Sequence, residues 1–367
     1  MVRYEGHRRR SRLARPALGV LTLLAIVAFA ACGEDSDGDA VSAEDLKTGL
    51  DLHFRAPYTE QIADGARQAA EDTGTELEIA GPQNFDPPAS IQAAQDLAAS
   101  GAQGIATVAF PPEVWRRPAQ ELIDSGVELV TLDAGALTLL ADDTPTYVGL
   151  NEVAWGRTLA DVIIDELGPD AEGEVVISLC VPGLPVQEDR AEGFKDRMTE
   201  KAPGITVTGP LTTEEEPAAS VADWERIIQV NPDALGFFGF CSSDPPSLVK
   251  VKEKDPGADY LIGGADLEPD TLRGIEEGTM LVALGANPYL QGYVPIRLIK
   301  EQLVDGIAPN KNGWIDPGIE VVTKENVEEV LEREDSKEAT VEYYQPKIDE
   351  IFDDLDASIQ PFAAARE

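Results

Sequence analysis

The sequence predicts an α/β protein built as two doubly wound, parallel-sheet lobes. Three observations predict it. Short β-prone runs alternate with helically spaced apolar residues from residue 49 onward. The alternation reaches Leu150 and then starts again, and polar residues recur just after the strands of both halves. The 367-residue chain is 43% hydrophobic, enough for packed cores, and its 32 Gly and 26 Pro suit many turns rather than a fibrous repeat.

The N-terminal 31 residues hold Arg3, Arg8, Arg9, Arg10, Arg12 and Arg15 against the single acid Glu5, followed by an apolar run from Ala17 to Ala31. That run is short for a bilayer span, which needs about 20 residues. It fits the core of a secretory signal peptide over residues 1–31. Ala30 and Ala31 precede Cys32, and an acidic Gly-Asp-Ser linker follows to residue 47. The arrangement resembles a bacterial lipoprotein signal, which implies lipidation at Cys32 and a membrane anchor outside the cytoplasm. An ordinary signal with an incidental cysteine is the alternative. Whether export is general or twin-arginine stays open. Beyond residue 31 the chain has 23 basic and 67 acidic residues, a net charge of −44. Such a surface repels phosphate backbones and excludes nucleic acid as a partner.

The first half begins with a strand at 50–54 and a helix over 59–72, where Ile62, Ala63, Ala66, Ala69 and Ala70 share one face. Strand 76–80, helix 89–100, strand 104–109, helix 115–125 and strands 128–132 and 146–150 follow. The second half reads helix 152–167, strand 174–179, helix 189–202, strand 205–208, helix 218–231 and strand 234–240. Helix 248–254, strand 260–264, helix 271–277 and strand 280–284 complete it. In open α/β sheets ligands lie outside the carboxyl ends of the strands. Those positions hold Arg55, Tyr58, Asp133 and Asn151 in the first half, and Glu188, Ser243, Asp244, Asp266 and Asn287 in the second. Trp115, beyond the strand ending at Ala109, is a candidate pocket wall. Trp155 and Trp224 fall inside helical patterns and read as core. Trp314 serves either a hinge or simple packing.

The order of these segments resembles the ribose/galactose-type (type I) periplasmic sugar-binding proteins of ABC transporters, over about residues 48–330. Pro57-Tyr58-Thr59 through Asp64-Gly65 is similar to an opening "NPFF…DG" stretch, with Tyr58 and Thr59 where two aromatics would stack near the sugar. The run 126–133 is similar to "GIPVITLD", 148–151 to "IxxDN", 189–194 to "xRxxGF" and 264–270 to "GFDxxPD". The resemblance implies a type I periplasmic binding protein fold with a three-crossover hinge. Lobe 1 would hold 48–150 plus 286–315, and lobe 2 would hold 151–285 plus 316–335. It also implies capture of a neutral monosaccharide or polyol by a monomer, with delivery to a permease. Asp133 and Asp266 would accept hydroxyl protons from opposite lobes, and Asn151 and Asn287 would both donate and accept. Ala134 and Glu188 stand where such binders often carry arginine, Ser243 where they carry asparagine and Ala286 where they carry glutamine. These departures fit plain ribose or galactose poorly, and Arg55 is a candidate source of the missing positive charge. A binding protein for another small polar solute and a surface-interaction lipoprotein are the alternatives.

Catalysis finds little support, because the chain has no Gly-x-Ser-x-Gly elbow, phosphate loop or HExxH, and His53 is the lone histidine beyond the signal. No cofactor or metal site is expected. Cys180 and Cys241 each follow a predicted strand of lobe 2, the first and third, which are neighbours in a doubly wound sheet. Strand spacing near 4.8 Å permits a disulfide, and two buried free thiols are the alternative. Residues 336–367 form a C-terminal extension, with an edge segment at 339–344 and an amphipathic helix from Pro346 to Ile359 that packs against the body, a partner-binding tail being the alternative.

The net charge generates a first prediction. Self-repulsion should be screened by salt, so the melting temperature should rise between dilute buffer and roughly 1 M NaCl. A flat profile in calorimetry across that range would refute it.

Overall fold

The computed structural model describes residues 42–134, 145–307, 312–333 and 335–366. The signal segment and Cys32 lie outside the described residues, as does most of the acidic linker. The first lobe is laid down as β1 (Lys47–Asp51), α1 (Pro57–Thr73), β2 (Glu76–Ala80), α2 (Pro87–Ala99), β3 (Gly104–Thr107), α3 (Pro112–Asp124), β4 (Glu128–Leu132) and β5 (Thr146–Val148). The second follows as α4 (Glu152–Leu167), β6 (Gly173–Leu179), α5 (Pro185–Lys201), β7 (Ile205–Thr212), α6 (Pro217–Val230), β8 (Gly236–Gly239), α7 (Asp244–Lys252), β9 (Leu261–Ala265), α8 (Pro269–Glu276) and β10 (Val282–Gly285). The chain then returns through α9 (Pro288–Leu303) and β11 (Trp314–Ile315), and crosses again to β12 (Glu320–Thr323) and α10 (Val327–Arg333). It ends in α11 (Lys337–Asp353), α12 (Leu355–Ser358) and a 3-10 turn, Phe362–Arg366.

Two six-stranded sheets result, in the orders β11-β5-β4-β3-β1-β2 and β12-β10-β9-β8-β6-β7. Pairing is parallel except for β12, which runs antiparallel to β10. Three segments join the sheets, after β5, after β10 and after β11, so this is the two-lobed, three-crossover fold that the sequence resemblance implied. The first strand lies earlier than the sequence pattern suggested. Lying between β3 and the edge strand β2, β1 pairs Lys47 with Glu76 and Thr48 with Gly104 and ends at Asp51, so His53 and Phe54 lie beyond its carboxyl end.

Proline helps to set the helix starts. Pro57, Pro87, Pro112, Pro185, Pro217, Pro269 and Pro288 each open a helix, where the ring's fixed φ is favourable and its missing N–H has no intrahelical partner to lose. Glycine sets two helix crossings. A methyl at Gly65 of α1 would overlap the carbonyl oxygen of Tyr289 in α9, and one at Gly292 of α9 would overlap that of Ile62. In lobe 2, Gly156 of α4 meets the Arg190 carbonyl of α5, and Gly193 meets that of Val153.

The C-terminal extension is part of the body. Tyr344, Ile348 and Ile351 of α11 join the lobe 1 core, and the Tyr344 ring stacks on Tyr289 with centroids 4.7 Å apart. The expected edge segment at 339–344 is helical instead. Ser336 caps the helix by accepting from the Ala339 N–H at 3.1 Å, and Tyr344, Ile348 and Ile351 form one buried stripe. Gln360 then pairs with Trp314 through two backbone hydrogen bonds of 2.7 and 2.8 Å.

Cys180 and Cys241 form a disulfide with Cα atoms 5.9 Å apart and a sequence separation of 61 residues. The bond joins the carboxyl ends of the paired strands β6 and β8. On the chain-entropy account a loop of that length contributes about 4 kcal/mol as an upper figure.

Asp51, at the end of β1, is fully buried. One carboxyl oxygen accepts from Ser90 Oγ at 2.6 Å and Thr107 Oγ1 at 2.8 Å, and the other has no partner. Burial pushes its pKa up to about 7, although the two hydroxyls and Arg55 oppose the shift. The folded value thus exceeds the unfolded one, near 4. The native state therefore holds a proton that the unfolded chain has lost, and stability from this group falls as pH rises from about 4 to about 7, by up to about 4 kcal/mol. Asp51→Asn keeps an acceptor for the hydroxyls and removes the charge. Its stability relative to wild type should be higher at pH 8 than at pH 5 in urea titrations, and a difference independent of pH would contradict this account.

Candidate functional site

Two aspartates occupy equivalent corners of the two sheets. Asp133 follows β4 with φ 62°, and its N–H donates to Val148 O at 3.1 Å. Asp266 follows β9 with φ 69°, and its N–H donates to Leu284 O at 2.9 Å. The left-handed conformation is costly for most side chains, and aspartate and asparagine tolerate it best. Each corner thus turns a carboxylate out of the end of a parallel strand. The two carboxylates are within electrostatic reach of each other, and Tyr58 senses both.

Tyr58 is the second residue of α1. Its hydroxyl donates to Asp133 Oδ1 at 2.9 Å and accepts from Gln291 Nε2 of α9 at 3.3 Å. Its ring packs against the cores of both lobes. Gln291 also donates to Ala286 O at 2.7 Å, and its own side-chain oxygen is buried without a partner. His53 places Nε2 3.7 Å from Asp133 Oδ2 and lies edge-on to Phe54 and Phe85. Burial pushes this imidazole below its ordinary pKa, with Asp133 opposing.

Lobe 2 contributes Arg190 and Glu152 from the glycine-mediated crossing of α4 and α5. Arg190 Nε donates to Glu152 Oε2 at 2.6 Å, and the guanidinium lies over the Trp155 ring at 4.5 Å. Burial pushes the Glu152 carboxyl up, Arg190 opposes, and Asp133 and Asp266 add to the rise. For Asp266 burial again raises the pKa, Arg190 lowers it and Asp133 raises it. The Asp266 carboxylate has no hydrogen-bond or ion-pair partner among the described residues. Asp133, Tyr58, Glu152, Arg190 and Asp266 therefore form one electrostatically coupled group drawn from both lobes.

The other sequence candidates are placed as follows. Asn151 caps α4 by accepting from the Ala154 N–H at 2.9 Å, and its amide donates to Ala364 O at 3.4 Å. Asn287, with φ 49°, donates to Pro317 O at 3.1 Å and Gly318 O at 2.8 Å, which ties the second crossover to the third. Thr59 is buried at the start of α1, donating to Phe54 O at 3.0 Å. Arg55 lies 3.5 Å from Glu60. Glu188, in the first turn of α5, accepts from the Gly183 N–H of the preceding loop at 3.0 Å. The guanidinium of this motif that joins the Asp266 group is that of Arg190. Ser243 donates to Glu214 O at 3.2 Å.

Asp244 is fully buried within lobe 2. It accepts from Thr213 at 2.8 Å, from Trp224 and Ser178 at 2.9 Å, and from the Cys241 N–H at 3.2 Å. Trp115 does not wall the cleft. Its helix starts at Pro112, which puts Trp115, Ala119 and Leu122 on one inward face, packed with Ala94 and Leu97 in the outer core of lobe 1. No group of three or more metal-ligating side chains is found among the described residues.

Arg190, Glu152 and Gln291 were not among the sequence candidates. Arg190 stood inside the segment 189–194, and its spacing from Gly193 and Phe194 by three and four residues puts it on the buried face of α5.

The family model described as a periplasmic binding protein domain matches residues 53–308. A xylose/arabinose-binding protein, XylF, of Sulfolobus acidocaldarius is 23% identical over 270 residues, 68% of this chain. The match covers 64% of that curated relative, so the chain spans less than two thirds of its length. A solute-binding protein of an ABC transporter from Burkholderia graminis, solved with D-arabinose, superposes with a TM-score of 0.70 at 24% identity, covering 78% of this chain and 97% of the other. GanP, a glucose-galactose binding protein of Geobacillus stearothermophilus, gives 0.67 at 22% identity over 77% and 98%. Both solved structures share the fold of this chain.

The buried Arg190–Glu152 pair yields a test. Arg190→Ala leaves a buried carboxylate without its counter-charge and should cost about 3–5 kcal/mol. The double variant Arg190→Ala/Glu152→Ala should cost less than the sum of the single variants in urea unfolding. Strict additivity would show that the two side chains are not coupled.

Proposed function

This chain belongs to the periplasmic binding protein domain family, and from that premise we propose that it captures a small hydroxyl-rich solute outside the cytoplasm. The solute is a monosaccharide or polyol, and it is passed to the permease of an ABC transporter. The protein acts as a lipoprotein held at the membrane through Cys32. The family is one of binding proteins rather than catalysts, and no helix among the described residues is long and apolar enough to cross a membrane.

The observation that carries this reading is the pair of equivalent corners. Asp133 and Asp266 offer carboxylate oxygens from opposite sheets, beside the Tyr58 hydroxyl. Carboxylates suit hydroxyl-rich solutes because each hydroxyl–carboxylate bond is charge-assisted, and several donors together offset the cost of enclosing the charge. A solute seated between the two corners touches both lobes and so favours their closed arrangement. The pentose and hexose relatives support the substrate class.

Calorimetry against a panel of monosaccharides, polyols and amino acids tests the reading. At least one sugar or polyol should bind, and Asp266→Ala should weaken it by more than about 2 kcal/mol, roughly thirty-fold. Binding confined to amino acids would overturn the substrate class. Lack of any closure on adding metabolites would favour a surface-interaction protein.

A further inference from the structure

We propose that the solute held between Asp133 and Asp266 carries a protonated amine, as an amino sugar or amino polyol does. The inference rests on the sugar or polyol reading above and narrows it. It starts from the charges that meet at the cleft. Asp133 comes from lobe 1, Glu152 and Asp266 come from lobe 2, and among the described residues the cation that acts on Glu152 and Asp266 is Arg190. That cation is already committed, with Nε on Glu152 at 2.6 Å and its plane on Trp155.

The other basic groups nearby among the described residues are neutral or engaged elsewhere, and Lys347, beside Gly318 and Asn287, acts on Asp316. His53 touches Asp133, but burial favours its neutral form. Arg55 pairs with Glu60 and acts on the buried Asp51. Tyr58 and Tyr147, whose pKa values burial raises, stay neutral. Asp133 on one side of the cleft and Asp266 on the other are therefore left without a Lys or Arg ion-pair partner among the described residues, and Arg190 reaches Asp266 only at longer range.

A neutral polyol supplies hydrogen-bond donors to these oxygens but encloses both negative charges. An ammonium group supplies three donors and a compensating charge in one step. Closing the lobes sharpens the difference, because closure holds Asp266 near Asp133 in surroundings drier than bulk water, where like charges repel more strongly. Asp266, which has no partner of its own, is the natural seat for the ammonium.

A further observation points the same way. The net charge of −44 beyond residue 31 gives the body a field that concentrates cations and repels anionic sugars.

The experiment compares solutes that share a carbon skeleton. Purified protein at pH 7 is titrated with glucosamine, galactosamine and mannosamine, with the parent hexoses, and with the three N-acetyl derivatives. At least one amine should bind ten-fold or more tightly than its parent. N-acetylation should abolish that advantage, and added NaCl should reduce it. Asp266→Asn should bring amine and parent to within about two-fold, with its melting temperature checked to confirm folding. Parent hexoses that bind as tightly as the amines would overturn this inference and leave the sugar reading standing. Failure of the amines while a pentose, hexose or polyol of the wider panel binds would likewise overturn this inference alone, and failure of every sugar, amine and polyol would remove both.

Discussion

The backbone-to-backbone helix crossings at Gly65/Gly292 and Gly156/Gly193 are the constraint on which the rest of the molecule depends. In each lobe two helices approach until one carbonyl occupies the space where a Cβ would otherwise stand. Only glycine allows that approach without displacing the helix. The consequence reaches the cleft directly. The first crossing holds the start of α1, with Tyr58, against α9, with Gln291, although the two are 233 residues apart in sequence. The second holds Glu152 and Arg190 at 2.6 Å. Both pairs of polar side chains are thus positioned by helix axes whose separation the glycines fix.

The sheets supply the complementary constraint. Asp133 and Asp266 sit in a conformation that costs of order 1–2 kcal/mol for a residue other than glycine. Each is held there by its own N–H donating across to the next strand. The strain is a fixed expense of the fold, and its return is orientation, because the carboxylate direction is set before any solute arrives. Lobe 2 adds a covalent tie beside its corner. The Cys180–Cys241 bond and the fully bonded Asp244 tie the ends of β6 and β8 together at that edge.

The corner aspartates were legible in the sequence because a carboxylate directly after a β-prone run needs no tertiary information to be placed at a sheet edge. The sheet count and the doubly wound order were legible for a similar reason, since strand and helix periodicities are local. Arg190 and Glu152 were harder, because their importance depends on which face of α4 meets α5. The glycine spacing that decides it is clear only when the two helices are considered together. Polar residues at strand ends were also ambiguous. Asn, Asp, Ser and Thr are the residue types that bind hydroxyls and also those that cap helices and close turns. Asn151 caps α4, Asn287 ties two crossovers, Thr59 fixes the start of α1 and Asp244 collects four donors inside lobe 2. The C-terminal extension was misread in part because Thr340, Val341, Tyr343 and Tyr344 are β-prone. Docking of Tyr344 on Tyr289 outweighs that preference.

The C-terminal segment links these constraints to motion. Any change in the angle between the two sheets must be absorbed in the three segments that join them. The last residues touch two of those segments. Gln360 pairs with Trp314 just before the third crossover, and Ala364 accepts from Asn151 just after the first. Ala365 packs beside Tyr147 and Trp314, and the Trp314 indole donates to Gly149 O at 2.6 Å. On the other side Arg333 of α10 meets Glu320 at 2.8 Å and Tyr344 of α11 at 3.0 Å, both buried. The extension is thus anchored in the lobe 1 core and also bonded to the cap of the first helix of lobe 2. A change in the angle between the sheets must therefore also be accommodated by the contacts of the extension, which lie at the joining segments and not at the corner aspartates.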